Sequence, residues 1–88
     1  MGLGLNAVRD EIRGEFGAPD TIEHYDSETM ATVLGFAAEG RRFVVRLSDE
    51  FDEDYGSGQL NVDLSRLGQF LRASKDGKAT IRRSGIST

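Results

Sequence analysis

The residues best suited to chemistry lie in one acidic run, Asp49-Glu50-Phe51-Asp52-Glu53-Asp54-Tyr55, which places five carboxylates in its first six positions. Carboxylates at this density suit calcium, a hard cation that takes oxygen ligands. An EF-hand loop needs acids at positions 1, 3 and 5, glycine at 6 and a bidentate glutamate at 12. Counted from Glu50, the run puts Asp52 and Asp54 at 3 and 5, but Tyr55 stands where glycine belongs and Asn61 where glutamate belongs. Counted from Asp52, Gly56 falls at 5 and Ser57 at 6. Neither register works, and no metal site is assigned.

Protein recognition fits the run better. Phe51 and Tyr55 interrupt the carboxylates, and aromatic side chains within a charged rim are common at interfaces. The candidate partner-binding set is therefore Asp49, Glu50, Phe51, Asp52, Glu53, Asp54 and Tyr55, facing a protein partner with a basic surface. A plainer account sends Phe51 or Tyr55 into the core and leaves the acids in water. Mutual repulsion does not decide between them, because two charges ~6 Å apart in water repel by only ~0.7 kcal/mol, less in salt. The direction of the two rings does.

Two further groups carry polar chemistry. His24 is the single histidine and stands between Glu23 and Tyr25-Asp26. Glu23 and Tyr25, adjacent in a strand, point to the opposite face, no second catalytic group is visible, and no catalytic residue is assigned. Arg72, Lys75, Lys78, Arg82 and Arg83 form a basic patch that could meet nucleic acid with a steep salt dependence. The acids upstream would repel a duplex, so nucleic acid is the disfavoured partner. Gly56-Ser57-Gly58 lacks the Gly-Lys-Ser/Thr of a phosphate loop, and no cofactor is expected.

The whole chain bounds these readings. Its 88 residues fit one small domain, expected over 1–88 with a frayed tail from about residue 84. Without cysteine, thiol catalysis, thiolate metal sites and disulfides are excluded. No apolar run approaches the ~20 residues that span a bilayer, and the first residues lack a signal-peptide pattern, so a cytoplasmic protein with no membrane partner is expected. The net charge of −4 hides an asymmetry: residues 1–63 hold fourteen acids and five bases, and residues 64–88 hold one acid and six bases. The two halves could simply pair as weak surface bridges worth ~0–1 kcal/mol each.

The elements that position these groups follow from periodicity. Leu5, Val8, Ile12 and Phe16 share one helical face, which predicts a helix over 5–16 with Asn6 as N-cap, Gly17 at the left-handed C′ position and Pro19 beyond. Residues 20–26 read as a short strand. Residues 29–38 read as a central strand, with small or apolar side chains on both faces and one face thinly covered. A Glu39-Gly40 turn leads into a strand over 41–48, with Phe43, Val45 and Leu47 inward and Arg42, Val44, Arg46 and Ser48 outward. Residues 49–58 read as a loop. Asp63 caps a second helix over 64–73, and a last strand covers 79–83. The expected fold is α+β, a two-layer sandwich in the order α-β-β-β-α-β, with an antiparallel sheet and both helices on one face.

The order α-β-β-β-α is also that of the double-stranded RNA-binding domain, whose second helix starts with basic residues that grip phosphates. That start is Asp63-Leu64-Ser65-Arg66 in this chain, after an acidic segment. The lysine cluster is missing, and no family is assigned. The leading expectation is a non-enzymatic protein-binding or regulatory module using residues 49–55. The alternatives are a small ligand-binding protein or enzyme, with a pocket between sheet and helices or at a homodimer interface, and a weak nucleic-acid binder using the basic C-terminal segment.

Overall fold

Apolar residues at a helical period and a Gly-Ala-Pro stop make helix α1, Leu3–Phe16, in a computed structural model that describes residues 3–55 and 62–87. Val8 and Ile12 are buried in the core. Gly17 takes φ 78°, and the Ala18 amide donates to the Arg13 carbonyl at 3.0 Å, which closes the helix as a Schellman motif. The start differs from expectation. Asn6 lies exposed inside the helix, and the Leu5 amide is met instead by the Asp52 carboxylate, 47 residues away, at 2.8 Å.

Among the described residues five strands follow in spatial order: β1 Thr21–Asp26, β2 Ala31–Ala38, β3 Arg41–Ser48, β4 Lys78–Arg82 and β5 Gly85–Ser87. Glu39 and Gly40 both take positive φ, 53° and 75°, the type I′ geometry whose twist matches an antiparallel hairpin. That turn fixes the β2–β3 register, in which Leu34 faces Val45 and Phe36 faces Phe43.

The sheet is mixed, which corrects the antiparallel expectation: β3 and β4 pair in parallel, while the other three pairings are antiparallel. Between those two strands the chain holds helix α2, Asp49–Asp54, a 3-10 turn, Leu64–Arg66, and helix α3, Leu67–Ala73. A strand re-entering a sheet after such a crossover runs parallel to the one it left. The acidic segment expected as a loop is thus helical over Asp49–Asp54. The stretch expected as a frayed tail carries β5, paired antiparallel to β4.

The α+β class stands. Leu34 and Phe36 of β2, Phe43, Val45 and Leu47 of β3, and Ala79 and Ile81 of β4 point to one face. They form one buried cluster with Val8 and Ile12 of α1, Phe51 of α2, and Leu64, Leu67 and Leu71 of the last helical stretch. Phe16, Phe36 and Phe43 form an aromatic cluster with centroids 5.1–5.3 Å apart, Phe36 stacked on Phe43 and Phe16 tilted against both. Among the described residues no helix is long and apolar enough to cross a membrane.

Candidate functional site

Paired residues in neighbouring strands project to the same face, so the register defines what lies on the side away from the helices. Ile22, Gly35, Val44 and Lys78 form one row across it. His24, Val33, Arg46, Thr80 and Ser87 form the next, and Asp26, Ala31 and Ser48 the one after. At the opposite end Ala37 pairs with Arg42. No described element lies over these rows.

This face carries a groove of about 360 Å³ centred on Gly35, lined by Asp20, Ile22, His24, Val33, Ala37, Arg42 and Val44 among others. The groove exists because Gly35 has no side chain between Ile22 and Val44; a Cβ there would meet nothing closer than the Phe43 carbonyl oxygen at 4.0 Å. Ile22 is 71% exposed, an unusual state for a branched apolar side chain beside an open apolar groove. Val33 and Ala31 are buried although they point away from the helices. Their cover is Arg46, whose guanidinium crosses β2 to reach Asp26 at 3.1 Å and the Thr29 hydroxyl at 2.5 Å. Those bonds hold the Asp26 carboxyl below its ordinary value, with Arg46 the main cause and Thr29 the next.

Charge is divided across the face. Asp20 stands on the β1 side of the groove and Arg42 on the β3 side, with Lys78 and Arg82 exposed on β4. The rim therefore offers both signs around an apolar floor. Among the described residues no aromatic ring stands in the rows on this face, so they offer none of the stacking platforms that hold single-stranded bases.

The acidic segment has a structural account. Ser48 caps α2 by accepting from the Phe51 amide at 3.2 Å, and Asp49, Glu50 and Asp52 sit in its first turn, where carboxylates favour the helix dipole. Phe51 is fully buried, so its ring has no surface to offer a partner. Tyr55 is partly buried, packs on the core and meets Phe51 with centroids 5.5 Å apart. Asp52 caps α1. Asp54 pairs with Arg83 at 2.8 Å. Asp49 accepts from the Tyr25 hydroxyl at 2.5 Å, and this bond is the chief reason the phenol is held above its ordinary pKa. Glu50 and Glu53 line an open cleft with Met30, Asp49, Arg82 and Arg83.

The basic patch divides. Arg72 is bound by Glu39 and by Glu15, at 2.7 and 2.5 Å, and lies over the Phe16 ring at 4.6 Å. Arg72 in turn holds the Glu39 carboxyl below its ordinary value. Arg83 pairs with Asp54. Lys78 and Arg82 project onto the uncovered sheet face, and Lys75 lies in the turn before β4. Among the described residues no three His, Cys, Asp or Glu side chains are grouped to hold a metal ion. Asn61, Gly56, Ser57 and Gly58 lie outside the described residues.

Sequence reasoning missed Asp20, Ile22, Gly35 and Arg42 as a group. The signal was present: apolar residues on both faces of 29–38 and Val44 outward between two arginines. Which strand would lie beside it was not decided by spacing. Searches of protein-family models, curated proteins and solved structures returned no match for this chain.

Proposed function

We propose that this chain is a non-enzymatic cytoplasmic protein-interaction module that presents the uncovered face of its sheet to a partner chain. The observation that carries the reading is the groove at Gly35, with Ile22 71% exposed on its wall and charges of both signs on its rim. An apolar centre within a charged rim is the anatomy of a protein interface. Small ligands take pockets of similar volume, but those enclose most of the ligand, whereas this groove lies open along the sheet. The sheet–helix interface, the place expected for an enzyme pocket, is occupied by buried side chains.

A second reading keeps the acidic segment as the contact. Its support is Met30, 58% exposed, and Tyr25, 51% exposed, beside Asp49; Met30 and Asp49 also line the cleft that holds Glu50 and Glu53. These would meet a basic partner. Affinity capture from an extract of the source cells separates the two. The sheet-face reading expects Ile22→Lys to abolish capture and the pair Glu50→Gln, Glu53→Gln to retain it. The reverse pattern moves the contact to α2.

A further inference from the structure

The partner chemistry can be taken further, resting on the sheet-face reading. A partner for this face must bring apolar side chains flanking a shallow centre, a basic group to set against Asp20 and an acidic group to set against Arg42. This face has that pattern itself. Along β2 the outward residues are Ala31, Val33, Gly35 and Ala37, small side chains on a straight line through the groove. On the β1 side Asp20 and Ile22 line the groove, and on the β3 side Arg42 and Val44 do. Ile22 and Val44 both flank Gly35 in one row. Asp20 precedes β1, and Arg42 pairs with Ala37 one row further along.

We propose that the face binds a second copy of this chain, sheet to sheet, about a two-fold axis parallel to β2 and passing over Gly35. Such an axis exchanges left and right across the sheet while keeping each row in place. It therefore sets Ile22 against the second copy's Val44, and Asp20 against the second copy's Arg42, each contact occurring twice. Gly35 meets its own counterpart on the axis, where the absence of a side chain lets the two sheets approach. A two-fold perpendicular to the strands over Gly35 would instead exchange the rows on either side of it, setting Arg42 over the second copy's Arg46 and Asp20 over its His24, and like-charge repulsion between the arginines disfavours it. The paired sign across the groove thus selects one of the two face-to-face arrangements.

Size sets the strength. Three strands at ~4.8 Å and six to seven residues at ~3.4 Å give roughly 14 by 22 Å of sheet. Allowing for side-chain relief, two such faces bury on the order of 800–1,000 Å², below the ~1,200 Å² of stable specific interfaces and in the range of weak, transient ones. The association is accordingly reversible, monomer at ~5 µM and dimer at ~500 µM.

Sedimentation across that range at neutral pH tests it. Gly35→Val is the main variant, because the new Cβ comes no closer to the rest of the chain than the Phe43 carbonyl oxygen at 4.0 Å yet wedges the two sheets apart on the axis; it is expected to leave a folded monomer at all concentrations. Asp20→Arg and Arg42→Asp are each expected to weaken dimerisation at least tenfold, and the double exchange to restore it. A wild-type chain that stays monomeric at ~500 µM overturns the proposal, as does a dimer indifferent to Gly35→Val or a double exchange that fails to rescue. If the chain is monomeric but Gly35→Val still abolishes capture of a different protein, the dimer falls and the interaction-module reading stands. If neither assay responds, both fall.

Discussion

Replacing Phe51 by Ala tests whether the acidic segment is anchored as a structural clamp. Phe51 is fully buried and belongs to the same cluster as Val8, Leu47 and Ile81. Its ring also sets the approach of α1: a Cβ on Gly4 would come within 2.9 Å of Phe51 Cε2 and 3.0 Å of the Asp52 Cα, so the two helices meet with no spare space. Truncating a buried Phe to Ala costs about 3–5 kcal/mol in transfer and cavity energy. The whole domain holds about 4–13 kcal/mol, at roughly 0.05–0.15 kcal/mol per residue. The variant should therefore sit near the edge of folding, with a urea midpoint lower by about 2–5 M at a slope near 1–1.5 kcal/mol/M. Asp52→Ala, which strips the acceptor from the Leu5 amide, should cost about 1 kcal/mol, the usual loss for a helix cap. Glu50→Gln and Glu53→Gln should stay within about 0.5 kcal/mol of wild type, as exposed changes do. Equilibrium urea unfolding by circular dichroism reads all four. A Phe51→Ala loss under about 1 kcal/mol would refute the clamp.

Two other outcomes follow from the geometry. Gly77 takes φ 68°, and a Cβ there would lie 2.4 Å from the Arg42 carbonyl oxygen, so Gly77→Ala should cost about 2–4 kcal/mol through strain and displacement of β4; a change below about 1 kcal/mol in urea would contradict the packing. Asp26 and Glu39 are both held below their ordinary values of 3.8 and 4.5, chiefly by Arg46 and by Arg72 respectively. A carboxyl depressed on folding lends stability that is complete above its unfolded value and is lost as pH falls through its folded one. Melting temperature should then fall as pH drops from about 5 toward 3, and Asp26→Asn with Glu39→Gln should flatten that fall; parallel curves for variant and wild type would argue against either pair.

The parts of the fold governed by local rules were legible in sequence. The period of Leu5, Val8, Ile12 and Phe16, the Gly17 stop, the Glu39-Gly40 turn and the Asp63 cap are each decided within a few residues, and each has its expected place. What failed depends on contacts between distant segments. Asp52 takes the capping role read for Asn6 because α2 folds across the start of α1. The six residues of α2 are too few to form a helix alone; Phe51 in the core and the Ser48 cap hold them, and neither is visible as a period. Strand direction failed for the same reason, since the parallel β3–β4 pairing depends on the course of the chain between residues 49 and 77. The candidate groove draws on three strands, so its residues appear scattered until the register brings them side by side.

The charge asymmetry of the sequence also changes meaning once folded. The basic C-terminal segment suggested a patch for an anionic partner, yet its members have different employers. Arg72 ties α3 to the Glu39 turn and to the end of α1, and Arg83 ties the β4–β5 turn to α2. Those two cations join segments 29 to 57 residues apart, so much of the positive excess is spent on closing the crossover against the acidic half. Of the three left over, Lys75 lies in the turn before β4 and Arg82 also lines the cleft with Glu50 and Glu53; Lys78 and Arg82 share the uncovered sheet face with Arg42 and Arg46, while most of the carboxylates lie on the helices and turns. A chain with net charge −4 thereby presents an outward sheet face on which bases outnumber acids. In the proposed dimer that excess is a repulsion between two like faces, screened by salt, and the Asp20–Arg42 contacts made twice across the axis are what oppose it.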